Sequence, residues 1–203
     1  MIYVIVILLS YLLGSSNMAL YLSLLKGVNF RDKGSGNLGA SNATILMGWK
    51  AGVLVGAHDI GKAFLAVFLA NILFPQVPYI GAAAGVAAVI GHIFPFYLKF
   101  RGGKGFASFL GMTLGLNWKF ALIVMALVVL ATLVTDYIVS GTFTAIAIVP
   151  TYIGIADRSP VAAAIILVAT GAILYKHFEN IKRLCNGTEI GLRSTIKGKN
   201  RVK

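Results

Sequence analysis

The sequence predicts an all-α, polytopic membrane protein with about seven transmembrane helices and with its polar motifs in the loops on one face. Hydrophobic residues make up 58% of the 203 residues, and the mean hydropathy is +0.87. Charged residues contribute 12%, about half of the roughly 25% usual in soluble domains. Apolar runs of about 18 or more residues recur, long enough to cross roughly 30 Å of hydrocarbon. We therefore expect a single integral membrane domain over residues 1–203.

Apolar runs and helix breakers place the individual spans. The predicted spans are 2–25, 51–73, 79–97, 105–117, 119–135, 138–155 and 161–180. The fourth is short for a crossing, so the sequence leaves open whether it spans fully or forms a half-helix. No basic residue follows Met1 and no small-residue cleavage site closes the first run, so we interpret that run as a retained span.

Positive charge is concentrated in three segments of the chain. There are 18 Lys and Arg residues against 6 Asp and Glu, a net charge of +12, and 15 of the 18 cations lie within 26–50, 99–104 and 176–203. Cytoplasmic loops carry excess Lys and Arg. We therefore expect a membrane protein with its N-terminus outside and its C-terminus in the cytoplasm. Seven crossings satisfy this orientation, and five would also do so. Anionic headgroups and phosphorylated substrates are the expected partners, rather than nucleic acid.

The first polar cluster is the segment 34–42, which reads Gly-Ser-Gly-Asn-Leu-Gly-Ala-Ser-Asn. Its three glycines allow positive φ angles, so the backbone can turn consecutive N–H groups toward an anion. We name Gly36 and Asn37 as candidate phosphate-binding residues and Asn42 as a supporting residue. The glycines match the G-x-G-x-x-G spacing, but no strand precedes them and no suitably spaced acidic residue follows, so a dinucleotide site is excluded. A flexible connector is the alternative.

The second cluster follows the third predicted span and ends in Arg-Gly-Gly-Lys-Gly. Glycines let the main chain close on phosphate oxygens, the lysine supplies charge, and the helix predicted to begin next offers its positive N-terminus. Arg101, Gly102, Gly103 and Lys104 are therefore candidate phosphate-binding residues. The segment is not a P-loop, because Gly105 stands where Ser or Thr would bind Mg²⁺. A plain positive-inside loop is the alternative.

The third cluster follows the last predicted span. If that helix continues, one face combines residues spaced three and four apart, namely His177, Asn180, Ile181 and Leu184. The opposite face, toward solvent or headgroups, carries Glu179, Lys182 and Arg183. A lone histidine at a membrane boundary is more often structural, but a His–Asn pair beside two glycine-rich loops is harder to explain as structural. We name His177 and Asn180 as candidate catalytic residues and Glu179 as a supporting residue.

Ionisable residues inside the predicted spans are few. Asp59 and Lys62 lie three residues apart in the second span, where such groups are costly and usually paired or functional. We count both as supporting the site, with mutual pairing as the alternative, and we interpret His58 and His92 as structural. The six acids are scattered and Cys185 is the single cysteine, so neither a metal site nor a cofactor is expected.

The three clusters resemble the bacterial membrane acyl-phosphate:glycerol-3-phosphate acyltransferases, the PlsY family. The resemblance covers nearly the whole chain, because the segments 34–42, 91–107 and 177–189 match the family's three motifs in order. The Asp-x-x-Lys pair in the second span matches a further element. Two positions depart from the pattern, since Ile45 and Phe178 stand where the family has arginine.

The resemblance implies transfer of a fatty acyl group from acyl phosphate to the 1-hydroxyl of glycerol 3-phosphate, giving lysophosphatidic acid and phosphate. This is the first acylation of phospholipid synthesis, with glycerol 3-phosphate, acyl phosphate and membrane lipids as partners. An acyl phosphate is already activated, so no covalent intermediate is needed, which fits a chain without a convincing Ser–His–Asp arrangement. His177 is the candidate base, and Asn180 and Ser35 are candidates to hold the hydroxyl or the oxyanion. The alternatives are a substrate phosphate oxygen as proton acceptor and His177 as a phosphate-binding cation.

Two other function classes fit less well. A transporter of phosphorylated metabolites would be expected to show repeated halves with broken mid-membrane helices, and no convincing repeat is visible. A metal-dependent lipid phosphotransferase would need a cluster of carboxylates, and the six acids of this chain lie far apart in sequence.

Overall fold

The computed structural model describes residues 1–193, and over this range the chain is all-α without a strand. The predicted fold class is confirmed. The cations at 197, 199, 201 and 203 lie outside the described residues. The helices are α1 Ile2–Ser15, α2 Met18–Lys26, α3 Ala40–Met47, α4 Trp49–Leu73, α5 Ile80–Ile93, α6 Phe106–Leu116, α7 Trp118–Thr135, α8 Ile138–Ile155, α9 Pro160–Lys176 and α10 Phe178–Cys185.

Five helical segments of the described chain are long and apolar enough to cross a membrane. They are Ile2–Lys26, Trp49–Leu73, Ile80–Leu98, Trp118–Thr135 and Ile138–Ile155. The bent pair α9 and α10 adds a sixth when it is counted as one span. The predicted total of seven also counts α6, which has 11 residues and is about 16 Å long at roughly 1.5 Å per residue. The fourth predicted span is therefore the short one that its sequence length suggested.

The helix pair α6 and α7 begins and ends at the same end of the bundle. At the start of α6, a side chain on Gly105 would lie 3.0 Å from Cγ1 of Ile173, in the last turn of α9. At the end of α7, the Asp136 carbonyl accepts a 2.6 Å hydrogen bond from the N–H of Leu192, which follows α10. The start of α6 and the end of α7 therefore lie at the same end of the bundle.

Helix α5 is the centre of the bundle, with 12 of its 14 residues buried. It packs against α1, α4, α6 and α9. Small residues permit this closeness: a side chain at Gly14 would overlap the backbone of Ala88, and one at Gly91 would overlap the backbone of Tyr11. Close backbone approach through small residues is how helices commonly associate in membranes. The packing fixes the end of α5, from which the second motif departs.

The predicted continuous helix over 161–180 is wrong, because the chain bends by 53° between α9 and α10 at His177. Helix α10 turns across the end of the bundle. Its buried residue is Asn180, while Glu179 and Lys182 form an exposed ion pair of 3.1 Å. The face of α10 that contains Asn180 is buried, as the sequence predicted. Because of the bend, this face packs against the end of the bundle and does not extend the line of α9.

Candidate active site

The first motif is a folded loop organised by Asn42. The Asn42 side chain is fully buried, donates to the Phe30 carbonyl at 2.8 Å and accepts the Ser35 N–H at 2.8 Å. Gly34 has a φ of 62°, and a side chain there would overlap Oδ1 of Asn42. Phe30 is 1% exposed and anchors the loop in a small apolar cluster. The flexible-connector alternative does not fit this arrangement.

Two amides of this loop are used internally. The Ser35 N–H is donated to Asn42, and the Gly36 N–H is donated to the Lys33 carbonyl at 3.2 Å. The sequence predicted consecutive amides turned toward an anion, and these two are directed into the loop instead. Ser35 and Asn37 of this loop line an open cavity at the end of the bundle.

The second motif begins with an unusual backbone conformation. After a short 3-10 turn at Phe96–Leu98, Lys99 and Phe100 have φ angles of 53° and 58°. A left-handed conformation costs roughly 1–2 kcal/mol for a non-glycine residue. Such strain persists where the surrounding structure enforces it, and it is concentrated at functional sites.

The glycine pair of the second motif caps helix α5. The Gly102 N–H donates to the Ile93 carbonyl at 3.0 Å, and the Gly103 N–H donates to the His92 carbonyl at 3.1 Å. These carbonyls belong to the last turn of α5, where helix acceptors lack intrahelical partners. The two amides predicted to bind phosphate are therefore already occupied. The glycines are required because side chains there would overlap the His92 carbonyl and the His92 ring.

A polar chain joins the second motif to the third. Lys104 Nζ donates to Asn180 Oδ1 at 2.6 Å, and Asn180 Nδ2 donates to Glu189 Oε1 at 2.6 Å. Arg183 Nε then donates to Glu189 Oε2 at 2.7 Å. Glu189 was not among the predicted site residues, although it closes the third motif in sequence. Because Asn180 bridges Lys104 and Glu189, it positions the lysine directly.

The motifs enclose an open cavity of about 640 Å³ at this end of the bundle. We call it the cationic cavity, because six of its lining residues are basic and Glu179 is the only carboxylate among the described residues that line it. The basic residues are Arg31, Lys99, Arg101, Lys104, Lys176 and Arg183. The other predicted site residues in its wall are Ser35, Gly36, Asn37 and Gly102.

Four of the six cations were missed as site residues. The sequence indicated Arg31, Lys99, Lys176 and Arg183 only as positive-inside charges or as a solvent-facing arginine. Composition alone cannot separate a cation that faces headgroups from one that faces a cavity. Contacts do so here, since Arg31 Nη2 donates to the Arg101 carbonyl at 2.7 Å and so forms part of the cavity wall.

The electrostatics of the cavity favour a multivalent anion. Burial lowers the pKa of Lys104 below its ordinary value, and the neighbouring positive charges of Arg183 and Lys176 lower it further, against the opposing effect of Glu189. A phosphate dianion placed among these cations would offset their mutual repulsion and favour the charged form of the lysine.

His177 lies behind the cavity wall. It is 4% exposed and does not line the cavity. Its Nδ1 is 2.9 Å from the Ile173 carbonyl, which can only accept, so Nδ1 carries the proton and Nε2 keeps its lone pair. Burial lowers the pKa of His177 to about 4, with the charge of Lys104 acting in the same direction and the bond to Ile173 opposing it. The ring is therefore neutral at physiological pH.

The predicted supporting pair Asp59 and Lys62 lies inside the bundle and outside the cavity. Lys62 Nζ is 2.9 Å from Asp59 Oδ1, donates to the Ser16 carbonyl at 2.6 Å and is 2.9 Å from His92 Nδ1. The contact between Asp59 and Lys62 agrees with the alternative interpretation, in which the two residues pair with each other. Ser16 lies at the break between α1 and α2, so the lysine also binds a carbonyl that no helix satisfies.

An apolar groove opens beside the cationic cavity. It has a volume of about 390 Å³ and shares Arg31 and Leu38 with the cavity. Its remaining lining comes from the end of α2 and the chain that follows: Leu20, Ser23, Leu24, Gly27, Val28 and Asn29. A molecule with an anionic head and an apolar tail could therefore occupy both spaces at once.

Comparison with known sequences gives a consistent result. A sequence model of a family described as glycerol-3-phosphate acyltransferase matches residues 4–187. The glycerol-3-phosphate acyltransferase 1 of Oceanobacillus iheyensis is 38% identical to this chain, with 96% of this chain and 97% of that protein covered. The glycerol-3-phosphate acyltransferase of Geotalea daltonii is 34% identical, with 92% and 95% covered.

Solved structures are similar over nearly the whole chain. The crystal structure of PlsY, an integral membrane glycerol 3-phosphate acyltransferase, in its glycerol 3-phosphate form superposes with a TM-score of 0.90 at 31% identity, covering 97% of this chain and 98% of that one. The lysophosphatidic acid form superposes with a TM-score of 0.87 at the same identity, covering 97% and 100%.

Proposed function

This chain belongs to the PlsY family of integral membrane glycerol-3-phosphate acyltransferases, and we propose that its acyl donor is a fatty acyl phosphate. The reaction gives lysophosphatidic acid and inorganic phosphate, and is the first acylation of phospholipid synthesis. The acceptor oxygen is the 1-hydroxyl. That oxygen attacks the acyl carbon, the bond from this carbon to the phosphate oxygen breaks, and the phosphate leaves with the electron pair.

The observation that carries the proposal is the cationic cavity with an apolar groove beside it, the two sharing Arg31 and Leu38. The described part of the cavity wall contains six basic side chains and one carboxylate. This excess of positive charge suits two phosphate-bearing substrates. The groove lies on the other side of Leu38 and Arg31, which line both spaces, and its apolar lining suits the acyl tail of the donor. An acyl phosphate presents a compact anionic head to this cavity, whereas an acyl thioester of a bulky carrier would have to place its carrier there too.

We propose roles for the site residues on this basis. Lys104 and Arg101 bind substrate phosphate with the side chain of Asn37, while Gly36, Gly102 and Gly103 give the two loops their shape. Asn42 holds the first loop. The candidates to hold the reacting hydroxyl or the oxyanion are Ser35 and Asn180, with Glu179 supporting the wall and Asp59 and Lys62 supporting the bundle. His177 is the candidate base for the proton of the hydroxyl, with a substrate phosphate oxygen as the alternative acceptor, because the ring lies behind the cavity wall.

The donor is tested with purified protein, labelled glycerol 3-phosphate and two donors of equal chain length, palmitoyl phosphate and palmitoyl-coenzyme A. The proposal predicts labelled lysophosphatidic acid from palmitoyl phosphate, with a kcat/KM at least a hundredfold above that for the thioester. Equal or preferential use of the thioester would reject the acyl phosphate as donor, while leaving the acceptor unaffected.

The reaction is proposed to need no metal. In residues 1–193, no group of three or more His, Cys, Asp or Glu residues comes together as a metal site would require, and the leaving group is already activated. We expect the rate of lysophosphatidic acid formation to stay within about twofold when excess EDTA is added, with phosphate-free buffer as the control. A loss of activity that Mg²⁺ specifically restores would contradict this mechanism.

We also propose the orientation of the protein in the bacterial inner membrane, with the motifs and the C-terminus in the cytoplasm and the N-terminus outside. The support is the concentration of 15 of 18 cations in three segments. In a Cys185→Ser background, a cysteine introduced at Gly36 should react with an impermeant maleimide only after the membrane is opened. A cysteine at Gln76, between α4 and α5, should react in intact cells. The reverse pattern would overturn the orientation.

A further inference from the structure

His92 connects the buried ion pair of α4 to the phosphate-binding loop. Its ring is 3% exposed, and its Nδ1 lies 2.9 Å from Lys62 Nζ and 3.3 Å from Asp59 Oδ1. On the loop side, the His92 carbonyl accepts the Gly103 N–H at 3.1 Å. The ring itself lies against Gly103 so closely that a side chain there would overlap Nε2.

The buried pair Asp59–Lys62 holds one edge of the His92 ring. Its Nδ1 lies 2.9 Å from Lys62 Nζ and 3.3 Å from Asp59 Oδ1, and these two partners are themselves 2.9 Å apart. With the Nδ1 edge in this cluster, the Nε2 edge of the ring faces Gly103. A side chain on Gly103 would also lie 3.1 Å from the Leu38 carbonyl of the first motif. Gly103 is therefore enclosed between the His92 ring and the first loop.

We propose that His92 is a positioning residue for Lys104, through which the buried pair Asp59–Lys62 sets the affinity of the cavity for glycerol 3-phosphate. The inference rests on the proposed function, because it needs Lys104 to bind substrate phosphate. Gly103 precedes Lys104 directly, and Lys104 reaches Asn180 at 2.6 Å. A displacement of Gly103 by a few tenths of an ångström therefore moves the ammonium relative to its partner and to the phosphate.

A double-mutant cycle between His92 and Gly103 tests the contact. The φ of Gly103 is not among the left-handed ones, so Gly103→Ala acts through the overlap with the ring and not through backbone strain. His92→Asn keeps an acceptor near Nδ1 for Lys62 and removes the atoms that meet Gly103. We expect Gly103→Ala to raise the KM for glycerol 3-phosphate about tenfold more in wild-type protein than in His92→Asn protein, a coupling usual for residues in contact.

His58→Asn is the matched control. His58 Nδ1 lies 3.6 Å from the same carboxylate of Asp59, and its Nε2 is 2.9 Å from Ser16 Oγ, but it does not contact Gly103. Gly103→Ala should therefore cost the same in the His58→Asn background as in the wild type. If His92 only supported folding, its replacement would lower the apparent kcat by reducing active protein and would leave the KM unchanged.

The outcomes separate this inference from the proposed function. Wild-type turnover of palmitoyl phosphate with glycerol 3-phosphate tests the function first. If that activity is present, additive effects of His92→Asn and Gly103→Ala on the KM would overturn the positioning role. If the variants are too slow to assay, the same cycle is measured on thermal unfolding in detergent. There a smaller loss of Tm from Gly103→Ala in His92→Asn protein supports the contact, and an equal loss rejects it.

Discussion

Replacing Lys104 with alanine is expected to abolish nearly all acyl transfer. A charge-assisted contact to a partner left buried is worth about 2–5 kcal/mol, which corresponds to roughly 30- to 5,000-fold in kcat/KM at about 1.4 kcal/mol per factor of ten. Lys104 lines the cavity and is held by Asn180 at 2.6 Å, so the variant removes the proposed phosphate ligand and also leaves the Asn180 oxygen without this donor. Steady-state kinetics with both substrates varied give the measurement.

Two further variants control the Lys104 result. Lys104→Arg is not expected to restore activity, since a planar guanidinium does not replace a compact ammonium in one fixed contact. Lys119→Ala removes the same charge at the other end of the bundle, where Lys119 lies 5.7 Å from the Trp118 ring, and should leave kcat/KM nearly unchanged. A Lys104→Ala enzyme with wild-type kcat and KM would remove this residue from the site.

Replacing His177 with glutamine is expected to lower kcat by roughly 10²–10⁴-fold if the imidazole is the general base. The pKa of His177 is lowered to about 4, mainly by burial, so the neutral, base-competent form dominates above this pH. Its contribution is lost as the pH falls through the pKa. The ratio of wild-type to His177→Gln activity should therefore be constant from pH 6 to 8, fall to about half that value near pH 4, and fall about tenfold for each further pH unit below it.

Because both enzymes are assayed with the same substrates, the ratio of their activities does not depend on the ionisation of the substrates. His58→Gln serves as a control, because it removes a histidine outside the cavity and should keep the wild-type profile. A different result identifies each alternative. An unchanged profile with raised KM for glycerol 3-phosphate would make His177 a phosphate ligand. A small loss of kcat would favour a substrate phosphate oxygen as the proton acceptor, in keeping with the 4% exposure of the ring.

The helical architecture could be predicted because apolar length determines a membrane span. The fourth segment was correctly recognised as short, and α6 has 11 residues. The bend at His177 could not be predicted, because neither glycine nor proline marks it. The bend places Asn180 of α10 in contact with Lys104 and Glu189, and a sequence pattern does not show such contacts.

The second motif shows how a correct motif can be assigned the wrong atoms. Its glycines suggested amides that bind phosphate, whereas Gly102 and Gly103 donate to the last carbonyls of α5. The sequence shows the glycines but does not show which carbonyls their N–H groups meet. Those carbonyls belong to the end of α5, which the fold places beside the loop. In the same way, Arg31 and Lys176 were read as topological charges because only the folded chain brings them to one cavity.

The two departures from the family pattern leave the cavity strongly positive. Phe178, in place of an arginine, is 56% exposed and carries Lys182 at 4.8 Å over its ring. Ile45 lies within α3. The cavity contains six basic residues without either position, so its charge does not depend on them.

Phosphate release with and without the acceptor tests direct transfer most plainly. Purified protein is given palmitoyl phosphate alone, and then palmitoyl phosphate with glycerol 3-phosphate, while phosphate and lysophosphatidic acid are both counted. Direct transfer predicts no phosphate above the uncatalysed background without acceptor, and one phosphate per lysophosphatidic acid with it. A burst of phosphate equal to the enzyme concentration in the absence of glycerol 3-phosphate would contradict the account, because it would reveal a covalent acyl-enzyme.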